Sequence, residues 1–248
     1  MNLNGKYAVV TGGGAGIGLA ITMALHKAGV RVLVVGRAGS SLERARAQGF
    51  AVLAADLSNR VDRERVVSEI QNGAEAIDIF VNNAGTMTYF DLRSPDAMQK
   101  MEYELALDLH APIHFSTALL PHLLNRPEAA IVNLTSGLVY APSAGTPGYS
   151  AAKNGLHAFN QSLRWQTRKS QLQVLEVLPP TVDTDMNKHY NGPKIKPKVI
   201  GDGVRKALEN GTHELRVGQA KALFLMSRIA PAGAFNMINT AMDKNAGR

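Results

Sequence analysis

The sequence predicts an α/β domain whose parallel sheet is doubly wound, with helices on both faces. Three observations carry this expectation. Apolar, β-rich runs alternate with helix-period segments along nearly the whole chain, the sequence form of repeated strand–helix crossovers. The strand-like runs are continuous in Val, Ile and Leu rather than alternating with polar residues, as strands buried on both faces require. A Gly-rich stretch follows the first run and opens the first helical pattern, where such sheets bind phosphates. No linker, repeat or low-complexity tract interrupts the chain, so residues 1–248 are expected to form one domain on a seven-stranded sheet.

Taken in order, residues 7–11 (Tyr-Ala-Val-Val-Thr) form the first strand-like run, and 17–28 carry the helical period behind the glycines. The Val-rich run 31–35 and the apolar run 51–55 are the next strands, separated by a helical pattern over 40–48. A charged helical pattern over 60–71 leads to a fourth strand at 77–82. A long helical pattern spans 96–124, and Pro112 is expected to end or kink it, because proline removes a helical hydrogen bond. Residues 129–135 are the fifth strand; Thr146-Pro147 then read as N-cap and first position of a helix over 147–169. The sixth strand, 173–178, leads to an Asn/Gly/Pro/Lys-rich stretch around 186–198, expected to be a mobile substrate loop. A helix over 198–209, a seventh strand at 214–217 and a C-terminal helical segment over 219–243 complete the order.

Composition narrows the function classes. The chain has no Cys, which excludes disulfides, thiolate metal sites and a Cys nucleophile, and no metal site is expected. The N-terminal residues run straight into a strand, leaving no room for a secretory signal, and a cytoplasmic location is expected. No apolar run reaches spanning length; the nearest, 220–242, is broken by Lys221, Arg228 and Pro231. The net charge of +7 is uneven: residues 1–185 carry 16 Lys/Arg and 16 Asp/Glu, and 186–248 carry 11 against 4. A solvated basic face explains this, and attraction of an anionic substrate, cofactor phosphate or membrane surface is the functional alternative. Nucleic acid is not expected as a partner, since Tyr190 is the only stacking aromatic near Lys194, Lys196 and Lys198.

Tyr149 and Lys153 stand four residues apart at the start of the 147–169 helix and therefore share a face. A phenol is ordinarily too weak an acid to exchange protons near neutral pH. A neighbouring cation and a helix N-terminus both favour the phenolate, which is how a Tyr general acid/base is built. The spacing alone also arises by chance. In Thr11-Gly-Gly-Gly-Ala-Gly-Ile-Gly18, Gly12, Gly14, Gly16, Ile17 and Gly18 are candidate pyrophosphate contacts, or else a ligand-free βα turn. Asn82-Asn83-Ala84-Gly85 closes the fourth strand at the sheet edge where doubly wound folds bind ligands. Ser136 closes the fifth strand at the same edge, thirteen residues before Tyr149. Its hydroxyl could bond a substrate carbonyl and orient the phenol, or simply cap a turn.

T-G-x-x-x-G-I-G, N-N-A-G, a strand-end Ser and Y-x-x-x-K, in this order and at these separations, resemble the short-chain dehydrogenase/reductase family over essentially the whole chain. Residues 178–186 and the tail 216–231 further resemble its DltE-like oxidoreductase subgroup. The resemblance implies a Rossmann fold and hydride transfer between nicotinamide C4 and the carbonyl carbon of a small carbonyl or alcohol substrate. It implies that Tyr149 is the catalytic acid/base, that Lys153 lowers its pKa and binds the nicotinamide ribose, and that Ser136 polarises the carbonyl. By the same resemblance Asn83, Ala84, Gly85 and Pro179 lie against the cofactor, Asp56 and Leu57 meet the adenine, and Val182 and Thr184 hold the carboxamide. It also implies a homodimer or homotetramer built on the two long central helices.

The second strand ends Val34-Val35-Gly36-Arg37, with no acid before Glu43. A carboxylate there would select NAD(H) by accepting the ribose hydroxyls, whereas Arg37 can meet a 2′-phosphate, so NADP(H) is expected. Two positions depart from the family. Its catalytic Asn falls at Asp108, which only accepts hydrogen bonds when ionised and could pair with Lys153 or hold a water beside it. Pro180 stands where Gly is usual. Met87, Leu138, Tyr140, Met186 and Tyr190 flank the site as pocket lining or as plain loop packing, and His110 is expected to be packing or surface. The basic excess would suit an anionic or acyl-carrier-like substrate as well as a solvated surface. Asp108 also leaves open a cofactor-binding sensor or scaffold with weakened catalysis.

Overall fold

Residues 1–245 are described by the computed structural model. Strands β1 (Tyr7–Thr11), β2 (Arg31–Gly36), β3 (Ala51–Ala54), β4 (Ile79–Asn82), β5 (Ala129–Leu134), β6 (Leu172–Leu178) and β7 (Glu214–Arg216) form one seven-stranded sheet. Their order is β3-β2-β1-β4-β5-β6-β7, and every pair is parallel. The chain starts in the middle of the sheet, winds outward to β3, then crosses back to β4 and winds outward the other way. The winding reverses between β1 and β4, and in doubly wound sheets ligands bind at such a reversal, at the carboxyl ends of the strands.

Both faces are covered, which is why the strand runs are apolar without alternation. Ala8 and Val10 pack with Ile21 and Leu25 of α1 (Gly16–Lys27), Leu42 of α2 (Ser40–Ala47), and Ile200, Val204 and Leu208 of α7 (Pro197–Glu209). Val9 points the other way, with Phe80 and Ile131, into a cluster closed by Val66, Phe115, Leu119 and Leu163. Those side chains come from the sheet and from α3 (Arg60–Gln71), α5 (Ala111–Leu124) and α6 (Pro147–Thr167).

The expected fourth strand loses its first two residues. Ile77 is buried, but the Asp78 carboxylate is committed to the Tyr7 N–H at 3.0 Å and to Arg126 at 2.9 Å, so the ladder begins at Ile79. Pro112 does not end the long helix. Instead α4 (Ala97–Leu105) widens into a π-helical turn, Ala106–His110, and continues as α5. The wider turn absorbs the missing N–H of Pro112 at the second position of α5. The C-terminal segment forms α8 (Gln219–Ile229) and α9 (Pro231–Asn245). Among the described residues, no helix is long and apolar enough to cross a membrane.

Candidate active site

The Gly-rich loop is shaped by its neighbours. Gly12 (φ 65°) and Gly16 (φ 51°) adopt left-handed backbone, and Gly12 N–H donates to Val35 O at 2.7 Å. A β-carbon at Gly18 would collide with the Gly12 carbonyl and the Asn83 amide, and one at Gly14 with the Ser41 carbonyl. These positions must be glycine before any ligand is considered. Ala15, the N-cap of α1, has no side-chain acceptor for the first-turn amides. The N–H groups of Gly16, Ile17 and Gly18 are thus left without a side-chain cap at the helix N-terminus.

Asn83 ties β4 to this loop. Its Nδ2 donates to Thr11 O at 2.9 Å, and its backbone N–H and that of Ala84 donate to Thr11 Oγ1 at 2.9 and 3.0 Å. Asn82 Nδ2 donates to Asn133 Oδ1 at 2.7 Å, joining β4 to β5 beneath the surface. At Gly85 a β-carbon would collide with Asp108 Oδ1 and stand 3.5 Å from Lys153 Nζ. The four-residue motif is therefore a clip between strands whose last residue makes room for a charged pair.

Tyr149, Lys153, Ser136 and Asp108 come together at the carboxyl ends of β4 and β5, and all four are buried. Lys153 Nζ donates to Leu134 O at 3.0 Å, lies 3.0 Å from Asp108 Oδ1, and is 5.5 Å from the centre of the Tyr149 ring. Ser136 Oγ accepts the Leu138 N–H at 3.1 Å and is a polar neighbour of the Tyr149 phenol. The turn-cap reading of Ser136 is realised in this bond. Thr146 is at the N-cap of α6 as expected, but its side chain makes no capping bond and its Oγ1 is buried without a partner.

Asp108 sits in the π turn. Its Oδ2 accepts the Thr86 N–H at 2.9 Å while Oδ1 faces Lys153. Burial raises its carboxyl pKa against the pull of Lys153. Both oxygens nevertheless face donors, which suits a carboxylate and leaves no acceptor for a carboxyl proton. Burial disfavours the Lys153 ammonium, but Asp108 and Tyr149 outweigh it and the net shift is upward. We therefore describe the pair as ionised. Tyr149 is pushed up, first by burial; Lys153 opposes this and Asp108 adds to it. In this state the phenol is not the more acidic group that Lys153 alone would produce.

A residue the motifs did not mark, Glu104, lies one turn before Asp108 and is fully buried. The available signal was the i,i+4 acid pair on one helix, a pattern that ordinarily marks a solvated face.

The other expected contacts line the same edge less tightly. Arg37 is exposed at the end of β2 and donates to Tyr103 OH at 3.2 Å. Asp56 Oδ1 accepts from Ser58 N–H and Oγ at 3.0 and 2.7 Å, and Leu57 is buried, its carbonyl held by Arg63 at 2.8 Å. Pro179 O accepts the Gly137 N–H at 2.9 Å. Val182 is buried and bridges to Ile195, with Asp183 N–H on Ile195 O at 2.8 Å and Ile195 N–H on Thr181 O at 3.1 Å. A β-carbon on Gly16 would stand 3.1 Å from Thr184 Cγ2, so this segment closes over the Gly-rich loop. Leu138 is buried, Tyr140 packs edge-on against Phe224 at 5.1 Å, and Met186 and His110 are exposed. Among the described residues, no group of three or more His, Cys, Asp or Glu could hold a metal.

A family model described as short chain dehydrogenase matches residues 6–194. The chain is 35% identical over 190 residues to an uncharacterized oxidoreductase, DltE, of Bacillus subtilis (strain 168), covering 75% of each chain. It is 28% identical over 220 residues to an uncharacterized oxidoreductase of Staphylococcus aureus (strain USA300), covering 85% of this chain and 94% of that one. A similar fold occurs in a short chain dehydrogenase from Burkholderia cenocepacia J2315 in complex with NADP (TM-score 0.83, 24% identity, 96% of this chain and 98% of that one). It also occurs in a bulky-bulky ketone specific alcohol dehydrogenase from Comamonas testosteroni (TM-score 0.77, 21% identity, 92% and 94%).

Proposed function

The chain belongs to the short-chain dehydrogenase family, and on that premise we propose an NADP(H)-dependent oxidoreductase in which Tyr149 exchanges a proton with a carbonyl or alcohol substrate. The carrying observation is the convergence of Tyr149, Lys153 and Ser136 at the sheet edge beside the Gly-rich loop. The loop fits a dinucleotide: the α1 amides have no side-chain cap, and Gly16 turns with positive φ below Thr184. When bound, the nicotinamide supplies or accepts the hydride. During reduction the Tyr149 O–H would give its proton to the substrate oxygen while Ser136 Oγ–H donates to the same oxygen. Lys153 holds positive charge beside the phenolate as it forms.

NADP(H) preference is supported by Arg37 at the end of β2, where no carboxylate stands. Fluorescence titration with both reduced cofactors tests it. Tighter NADPH binding is expected, with the order reversed in Arg37→Asp; tighter NADH binding to the wild type refutes the preference.

The activity is tested by following NADPH oxidation across a panel of carbonyl substrates. Turnover abolished in Tyr149→Phe is expected, and unchanged turnover in that variant rejects Tyr149 as the acid. The Asp108–Lys153 ion pair favours one second reading, a cofactor-binding sensor or scaffold with weakened catalysis. Tight NADPH binding with no turnover on any substrate would select it.

A further inference from the structure

Glu104 on α4 and Asp108 in the π turn hold the segment after β4 in the same way. Asp108 Oδ2 accepts the Thr86 N–H at 2.9 Å, and Glu104 Oε1 accepts the Thr88 N–H at 2.6 Å. Alternate amides of an extended chain point the same way about 7 Å apart, and side chains four apart on a helix are about 6 Å apart. Helix and loop therefore match rung for rung.

The second oxygens differ. Asp108 Oδ1 is paired with Lys153 at 3.0 Å, whereas Glu104 is in no ion pair among the described residues and its Oε2 lies toward the backbone of α6. Oε2 lies against Gly148, where a β-carbon would collide with it, one residue before Tyr149. The charged groups facing Tyr149 are Lys153 from its own helix, Asp108 from the π turn and Glu104 from α4, with Ser136 as the neutral polar neighbour. Asp108 is the charged neighbour of Glu104. Lys100, one turn earlier on α4, is engaged with Asp96 at 2.8 Å. Lys153 thus faces the Asp108 carboxylate, and the Glu104 carboxylate has no such counter-charge.

We infer that Glu104 is a positioning residue of the Tyr149 centre: it ties the Thr88 segment to the first turn of α6 and sets a second buried carboxylate against the residue that precedes Tyr149. This rests on reading Tyr149 as the acid–base group. Burial raises the pKa of Glu104 itself, and Glu104 and Asp108 both act to raise that of Tyr149. Once Glu104 ionises, it opposes ionisation of the phenol. Reduction needs the protonated phenol, so the rate persists to higher pH than it would without Glu104.

The test measures kcat/KM for carbonyl reduction against pH in the wild type, Glu104→Gln, Glu104→Ala, Glu102→Gln and Tyr149→Phe. NMR titration of 13Cζ-labelled tyrosine accompanies it, with the Tyr149 resonance assigned by its loss in Tyr149→Phe. Gln keeps an acceptor for Thr88 and removes the charge. Glu104→Gln is expected to bind NADPH within about twofold of wild type, with the alkaline limb and the Tyr149 resonance titrating about half a pH unit or more lower. Glu104→Ala should show the same shift with a raised KM, and exposed Glu102→Gln should show none. Coincidence of both titrations in Glu104→Gln and wild type overturns the inference. The resonance needs no turnover: an inactive wild type or an active Tyr149→Phe refutes the acid–base reading, while the resonance still decides whether Glu104 sets the charge at the phenol.

Discussion

Lys153 has two claims on its charge, the phenol of Tyr149 and the carboxylate of Asp108 at 3.0 Å. Asp108→Asn keeps an acceptor for the Thr86 N–H but removes the counter-charge, leaving Lys153 to act on Tyr149 alone. Loss of one partner of a buried ion pair is expected to destabilise the fold by about 3 kcal/mol in urea unfolding. The same change should move the alkaline limb of carbonyl reduction to lower pH; an unmoved limb would detach Asp108 from the phenol. Tyr149, Lys153 and Ser136 were legible in the sequence because their chemistry is local: a helix face and a strand end suffice to place them. Glu104 was not, because an acid on a helix reads as solvated until α6 is packed over it. The upward shift at Tyr149 was hidden for the same reason, since burial and two carboxylates enter only with tertiary structure.

Helix α6 carries both the phenol and a charge network on its next turns. His157 Nδ1 lies 2.8 Å from Glu176 Oε1, which also accepts the Thr135 hydroxyl at 2.7 Å, so α6, β5 and β6 are joined through one buried carboxylate. The hydrogen bond to Glu176 raises the His157 pKa above its unfolded value. Its stabilisation is therefore complete below the unfolded pKa and is lost as pH rises through the folded one. In urea unfolding, His157→Asn should fall further below wild type at about pH 5.5 than at about pH 9; an equal deficit at both would show that protonation contributes nothing. At the head of the same helix, Thr146→Val should change the unfolding free energy by less than about 0.5 kcal/mol, where losing a bonded N-cap costs about 1 kcal/mol. A larger loss in thermal unfolding would mean that the hydroxyl has a partner. The strands and most helices were legible from apolar periodicity. The π turn was not, because Pro112 announces a lost hydrogen bond but not whether the backbone breaks or widens around it.

Across the whole molecule, the sheet order places the Gly-rich loop, the β4 clip and Tyr149 on one edge at the reversal between β1 and β4. A ligand held there touches both halves of the sheet and should stabilise them together. NADPH at about a hundredfold over its dissociation constant is expected to add about 2.7 kcal/mol to stability. Thermal unfolding should show a larger upward shift with NADPH than with NADH, and an equal shift would remove Arg37 from cofactor choice. The stretch around 186–198, proposed to close over the substrate, carries Lys188, Lys194 and Lys196. Trypsin cleavage there should slow when NADPH and substrate are both present; undiminished cleavage would argue against closure. The Val182–Ile195 bridge gives this stretch another property. The chain leaves and returns through adjacent backbone bonds, so the residues between behave as an exchangeable cassette whose ends are already joined. Loop-closure cost varies slowly with length, so the stretch between these bonds can be lengthened or shortened at little cost to the sheet.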